Sequence, residues 1–491
     1  MEAYVGELWV VRLLLQRGLA AVYLVAFVSA RNQFRPLLGE RGLEPAPKLL
    51  ARVSFRQAPS VFHLHYSDRF FACLAWVGIL LSAVALSGLS ERSAWVSVPL
   101  WLTLWALYLS IVNVGQTFYG FGWESMLVEA GFFAAFLGPA HLVPSAIPVL
   151  ALRWMLFRVE LGAGLIKLRH DRCWRDLTCL YYHHETQPLP NPLSAYFHSL
   201  PKPIHRAGVL FSHFVQLVAP FGLFGPGPVS SAAGALIVVH QLTLVVSGNY
   251  AWLNWLTIVL AASAFDDATL LELVPASLGA GLVPELASRP LAHDVFLLLL
   301  AGVTLVLSVR PTLNFFAKRQ RMNFSYNPLH LVGSYGAFGS VTRTRYEVVI
   351  EGTASEDLDD DTTWCAYELR AKPGDVHRRP PQVAPYHLRL DWLLWFLPFS
   401  VTVTRGRVGV HGIPLWFLAL MRRLLEGDRR TLALFGKNPF EDNPPRAVRA
   451  LYYRYEFATR DERRSTGVWW RRTLLGEYLP PVTLEELADI Q

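Results

Sequence analysis

The chain has 491 residues, of which 53% are hydrophobic and only 17% charged, with a formal net charge of +7. Soluble domains carry about 25% charged residues, so charge has been withdrawn from part of this chain, and residues 325–491 alone read as an ordinary soluble sequence. No basic stripe is interleaved with aromatics on that soluble part, which argues against a nucleic-acid partner. Positive loops flanking membrane helices account for the surplus.

Crossing the hydrocarbon core takes about 20 mostly apolar residues. In chain order the runs that approach this are Trp9–Ala30, Phe70–Leu89, Ala94–Gly115, Phe121–Gly138, Leu142–Lys167, Ala207–Phe224, Val229–Gly248, Tyr250–Phe265 and Val295–Val309. They predict a polytopic α-helical bundle of about nine spans embedded in a lipid bilayer, occupying residues 1–324. Buried helices of a large soluble protein would imitate one or two such runs, not this many. The first run contains Arg12 and Arg17 and has no small-residue cleavage site after it, so it reads as a retained signal anchor. Lys and Arg cluster in residues 31–69 and again at Arg310, Lys318, Arg319 and Arg321. The positive-inside rule would make that side cytoplasmic.

Ionisable groups at membrane depth are costly and need partners. Glu124 and Glu129 fall in one expected span, and Arg153, Arg158, Glu160 and Lys167 in the next. Arg153, Glu160 and Lys167 recur every seven residues and so share a helix face. They predict one inward polar stripe, with Glu124 and Glu129 as partners. Such a stripe serves either as an ion-pair network that fixes packing or as the wall of a substrate chamber, with Lys167 as a desolvated base. His213, Gln216, His240 and Gln241 are placed to join either arrangement. Gly162-Ala163-Gly164 lets a neighbouring helix approach closely.

The segment 168–206 is long for a connector, dense in Trp, Tyr, His and charge, and then rich in proline. A passive link needs only a few residues, so this one either binds something or caps the bundle. Cys173 and Cys179 lie six residues apart within it. They bridge if the backbone turns back on an oxidising side of the membrane, and otherwise remain two thiols. Neither they nor His183-His184-Glu185 have zinc-site spacing, so no metal is expected.

Residues 325–491 form the expected extramembrane C-terminal domain, mainly β with a few helices. Tyr346–Glu351, Thr363–Arg370 and Ala450–Phe457 alternate with the period of a half-buried strand. Pro414–Leu425 and Thr483–Ile490 look helical. Asp391–Phe399 is strongly apolar yet too short to cross a membrane, and fits either the domain core or the head-group layer, where Trp is favoured. No nucleophile elbow, phosphate loop, dinucleotide fingerprint or metalloprotease helix occurs, and no cofactor is expected.

Several long strings carry a resemblance to a known family. They include Tyr119–Leu127, Asp171–Cys179 with His184–Pro188, Ser247–Asn249, Leu253–Thr257, Asn327–Leu329, Tyr335–Thr342, Lys372–Asp375, Pro385–Trp392 and Asn438–Phe440. Together they resemble the lipase maturation factors from the first spans almost to the C-terminus. The resemblance implies a non-catalytic, chaperone-like folding and maturation factor for secreted lipases. It implies the endoplasmic reticulum membrane in a eukaryote, or the cell membrane in a bacterium, with the C-terminal domain on the non-cytoplasmic side, opposite to the positive-inside reading. Tyr335, Phe338, Tyr386, His387, Asp391 and Trp392 are then the candidates for client contact. A fainter likeness, in Gly162–Leu168 followed by Trp174, is to the membrane part of the vitamin K-dependent γ-carboxylases. It implies as an alternative a membrane enzyme using Glu160, Lys167 and His240.

Overall fold

The computed structural model describes residues 8–272, 285–405 and 407–488. Among the described residues, nine helices of nine residues or more build the N-terminal bundle: α1 Trp9–Leu38, α2 Asp68–Ser87, α3 Ala94–Val114, α4 Gly122–Ala134, α5 Ala146–Arg169, α6 Lys202–Leu217, α7 Gly227–Ser247, α8 Leu253–Ala261 and α9 Leu291–Phe316. Several starts are written locally. Ser67, Ser93 and Ser145 accept the first free N–H groups of α2, α3 and α5 through their hydroxyls, the ordinary solution for orphan donors at a helix N-terminus.

Each expected span contains a helix, and five of them (α1, α2, α3, α7 and α9) are long and apolar enough to cross a membrane. The other four are shorter or more charged. At 13 residues α4 reaches about 20 Å, short of a core about 30 Å thick. α5 is 24 residues long but carries Arg153, Arg158, Glu160, Lys167 and Arg169. α1 is the axis of the bundle, with Leu15, Leu19, Tyr23, Phe27 and Phe34 all fully buried. α9 lies outside and turns Leu298, Leu305 and Val306 outward, each more than half exposed. An outer surface of this kind is stable against lipid rather than water. The chain is an integral membrane protein.

The C-terminal part is built on an antiparallel sheet of β1 Arg345–Thr353, β2 Cys365–Ala366, β3 Ala447–Phe457 and β4 Trp470–Thr483, in the order β2-β1-β3-β4. β1 and β3 pair along their whole length, from Arg345 opposite Tyr455 to Thr353 opposite Ala447. Helix α10 (Arg389–Leu394) and helix α11 (Leu415–Leu425) pack their apolar sides inward. Two expectations change here. Thr363–Arg370 supplies only two short strands, Cys365–Ala366 and Glu368–Leu369. The helix expected at Thr483–Ile490 is absent from its described part: Thr483 ends β4, residues 484–488 are turns, and the remainder lies outside the described residues.

The two parts are not separated by a linker. Residues 327–341 lie on the bundle, and Tyr335 reaches Glu129 of α4. The boundary expected at residue 324 is a change of composition, and the packing runs straight across it.

Candidate functional site

The expected single stripe of charge is divided into separate clusters. Residues seven apart on a helix are about 10.5 Å apart along its axis, too far for direct pairing, so each charge finds a partner from another element. Arg153 donates to the carbonyls of Ser263 and, at 3.1 Å, of Leu223. Arg158 pairs with Glu129, both fully buried. Glu129 also accepts from the Tyr335 hydroxyl at 2.7 Å and the Gly333 N–H at 2.9 Å. Glu124 meets Arg389 of α10 at 2.6 Å and the Tyr108 hydroxyl at 2.5 Å. Arg389 lies against the face of the Tyr119 ring and donates to the Phe118 carbonyl.

Glu160 and Lys167 form the remaining cluster, bridged by an amide. Lys167 Nζ donates to Gln216 Oε1 at 2.7 Å and to the Ser212 hydroxyl at 3.1 Å. Gln216 Nε2 donates to Glu160 at 3.1 Å, and Gln241 donates to the other Glu160 oxygen at 2.8 Å. Asn254 in turn donates to Gln241. The Lys167 ammonium also sits 4.5 Å above the Trp174 ring. A buried acid and a buried amine are thus joined through a neutral amide, which satisfies both without direct contact.

This cluster faces a chamber of about 1600 Å³ between the bundle and the C-terminal domain. Its wall includes Glu160, Lys167, Gln216, His240, Gln241 and Asn254 from the bundle. Segment 168–206 contributes Trp174, His183 and His184, and the C-terminal part contributes Tyr335, Phe338, Trp392 and Phe396. Most of the remaining lining is apolar.

Of the six expected client contacts, Tyr335, His387, Asp391 and Trp392 are buried within the chain's own fold. Tyr335 binds Glu129 as above. His387 Nδ1 lies 3.5 Å from Glu124; burial, with Arg389 beside it, pushes its pKa down to about 4. Asp391 accepts the N–H groups of Ala371 and Lys372 at 2.7 and 3.0 Å, and burial raises its pKa. Trp392 packs edge-on against Trp123, 4.9 Å between centroids. Phe338 packs on His183 and Tyr250. Tyr386 is half-buried and receives a bond from Gln33 of α1. The sequence marks these residues through their place in family-like strings, and the structure puts all six at the seam between bundle and C-terminal part. There they clasp the chain to itself.

Segment 168–206 caps the bundle. Cys173 and Cys179 are bridged, with Cα atoms 4.8 Å apart. Asp171 beside them is held by Arg343 at 2.7 Å, which pulls its pKa down to about 2. Arg345 donates to the carbonyls of Glu185, Gln187 and Pro188 and pairs with Glu347, an anion it shares with Lys372. Burial drives the Lys372 pKa well down, and Arg345 adds to that. Sequence reasoning missed this triad. Lys372 falls in a string that looks like a turn, and Glu347 and Arg345 look like the polar face of a strand.

A helical membrane bundle locked to a β-rich domain around a shared internal chamber defines the class of protein. Residues 10–272 match the lipase maturation factor transmembrane domain and residues 331–480 the lipase maturation factor C-terminal domain. Lipase maturation factor 1 from Bos taurus is 41% identical, with 98% of this chain and 90% of that protein covered. The Homo sapiens protein of the same name is 40% identical, with 99% and 90% covered. Lipase maturation factor 2 from Homo sapiens is more distant, 28% identical over 96% of this chain and 82% of its own length. No solved structure gives a significant match. The chain belongs to the lipase maturation factor family.

Proposed function

We propose that this protein is a membrane-bound maturation factor for secreted lipases that acts without catalysis, as a folding and assembly helper. The observation that carries the reading is the match of both family domains, over residues 10–272 and 331–480, in one chain whose two parts are interlocked. The bundle is read as about nine spans, with the four shorter or more charged helices completing it. The C-terminal domain is read on the non-cytoplasmic side, in the endoplasmic reticulum of a eukaryote or at the cell membrane of a bacterium. The Cys173–Cys179 bridge supports that side, because disulfides persist where the compartment is oxidising. Arg343 ties the C-terminal part to the bridged loop and so to the same side. Client contact then falls to the outer surface of the C-terminal domain, since the seam residues are already engaged.

The alternative of a membrane enzyme using Glu160, Lys167 and His240 draws support from their common position on the chamber wall. The amide bridge between Lys167 and Glu160 favours a packing role, because the amine is already committed to Ser212, Gln216 and the Trp174 ring. The reading is tested by expressing the chain with a secreted lipase in cells lacking their own maturation factor, and measuring secreted lipase activity per unit of lipase. A rise of several-fold is expected; an unchanged specific activity with the factor well expressed refutes it.

A further inference from the structure

The chamber is larger than the roughly 300–1,000 Å³ that holds an ordinary small ligand. Three of its lining residues, Ile204, Phe399 and Leu415, are largely exposed, so it opens outward between apolar side chains. Ile204 belongs to the same helix as the exposed Leu210 and Phe214. A hydrocarbon chain leaving the bilayer would meet apolar surface at the mouth and along most of the wall.

The polar part of the wall defines the head that such a molecule carries. Glu160 and Lys167 cancel through the Gln216 amide, and the other carboxylate of the lining, Glu44, is held by Thr117, so the wall offers an anionic group no uncompensated cation. A carboxylate or phosphate brought there would shed its water for no uncompensated cation. Several polar groups of the wall lack a partner: His240, 4% exposed, has no hydrogen bond at Nδ1 among the described residues, and His205, 3% exposed, has none at either ring nitrogen. His184, also on the wall and 6% exposed, has an unpartnered Nδ1 as well. A buried imidazole without a partner costs free energy that a hydroxyl or carbonyl can recover.

We propose that the chamber is a binding site for an uncharged amphiphile, a long hydrocarbon chain ending in a hydroxyl- or ester-bearing head that bonds to His240. The site needs only the membrane setting and stands whether or not lipases are the clients.

The test uses the full-length protein in detergent and a monoacylglycerol carrying a diazirine in its acyl chain. Irradiation should label peptides of the chamber wall, and unlabelled monoacylglycerol should abolish the labelling saturably, whereas the fatty acid of the same chain length should compete poorly. His240→Phe keeps the ring's bulk, and should weaken the competition about fivefold, the worth of one hydrogen bond. Mapping on the unmodified protein makes the result independent of how well that variant folds. Label confined to the outward faces of α2 and α9 overturns the site. Equal or better competition by the fatty acid overturns the uncharged head.

Discussion

Arg389 and Glu124 are 265 residues apart in the chain and meet at 2.6 Å, both with no exposed surface. Their pairing joins the C-terminal part to α4. Removing one member leaves the other as an uncompensated buried charge, which costs about 3–5 kcal/mol. Arg389→Met and Glu124→Gln should each lower the thermal unfolding midpoint in detergent and open the chain to protease near the seam. The double variant should lose less than the sum of the single losses. Additive losses would mean that the contact does not hold the two parts together.

That pair also marks what the sequence could and could not tell. The apolar runs Phe70–Leu89 and Ala94–Gly115 and the alternation of β1 and β3 are local signals, and they were readable. β4 was not, because Gly476, Pro480 and Pro481 interrupt its alternation; they are tolerated because β4 pairs on one side only and through bulges. The charges of the bundle were readable as a group that needs partners, but their partners come from distant segments. The run Tyr386–Trp392, with charges at His387, Arg389 and Asp391 between leucines, held the one usable hint: polar residues alternating with buried apolar ones need buried partners.

His387 should make the seam acid-sensitive. It is faced by Glu124, Arg389, Phe121, Trp123, Trp252 and Trp392. Its folded pKa of about 4 lies below the ordinary 6.5, so the unfolded chain binds the proton more readily. The neutral ring therefore stabilises the fold fully above pH 6.5, and that stability is lost as pH falls from 6.5 towards 4. A shift of this size is worth on the order of 3 kcal/mol over the whole interval. The unfolding midpoint should fall steadily from pH 7 to 5 and less steeply in His387→Gln. Parallel profiles would remove His387 as a contributor.

The Cys173–Cys179 bridge closes a short loop, and its loss should cost about 2 kcal/mol through freedom regained by the unfolded chain. The double serine variant should unfold earlier, while Cys365, exposed and unpaired, provides an independent marker of side. In sealed vesicles of known orientation, a membrane-impermeant maleimide should reach Cys365 only from the non-cytoplasmic face, and Cys173 and Cys179 only after reduction. Labelling of Cys365 from the cytoplasmic face would reverse the proposed orientation, in favour of the bias of the basic loops.

Lys167→Met separates packing from chemistry. The substitution keeps an apolar stem of similar length and removes the donor to Ser212 and Gln216, leaving Glu160 without its bridged counter-charge. A buried acceptor stripped of its donor costs about 1–3 kcal/mol. As a packing residue, Lys167 should lower the unfolding midpoint and the yield of protein, while lipase activity secreted per molecule of correctly folded factor stays within about twofold of the original, since a loss of stability acts on abundance before it acts on the remaining folded molecules. Lys167→Arg, whose planar fork does not reproduce the compact ammonium's contacts with Ser212 and Gln216, should give an intermediate loss. A Lys167→Met protein that folds to the original level and melts at the original temperature, yet matures no lipase, would mean that the amine reacts, and the enzyme reading of Glu160, Lys167 and His240 would replace the one proposed here.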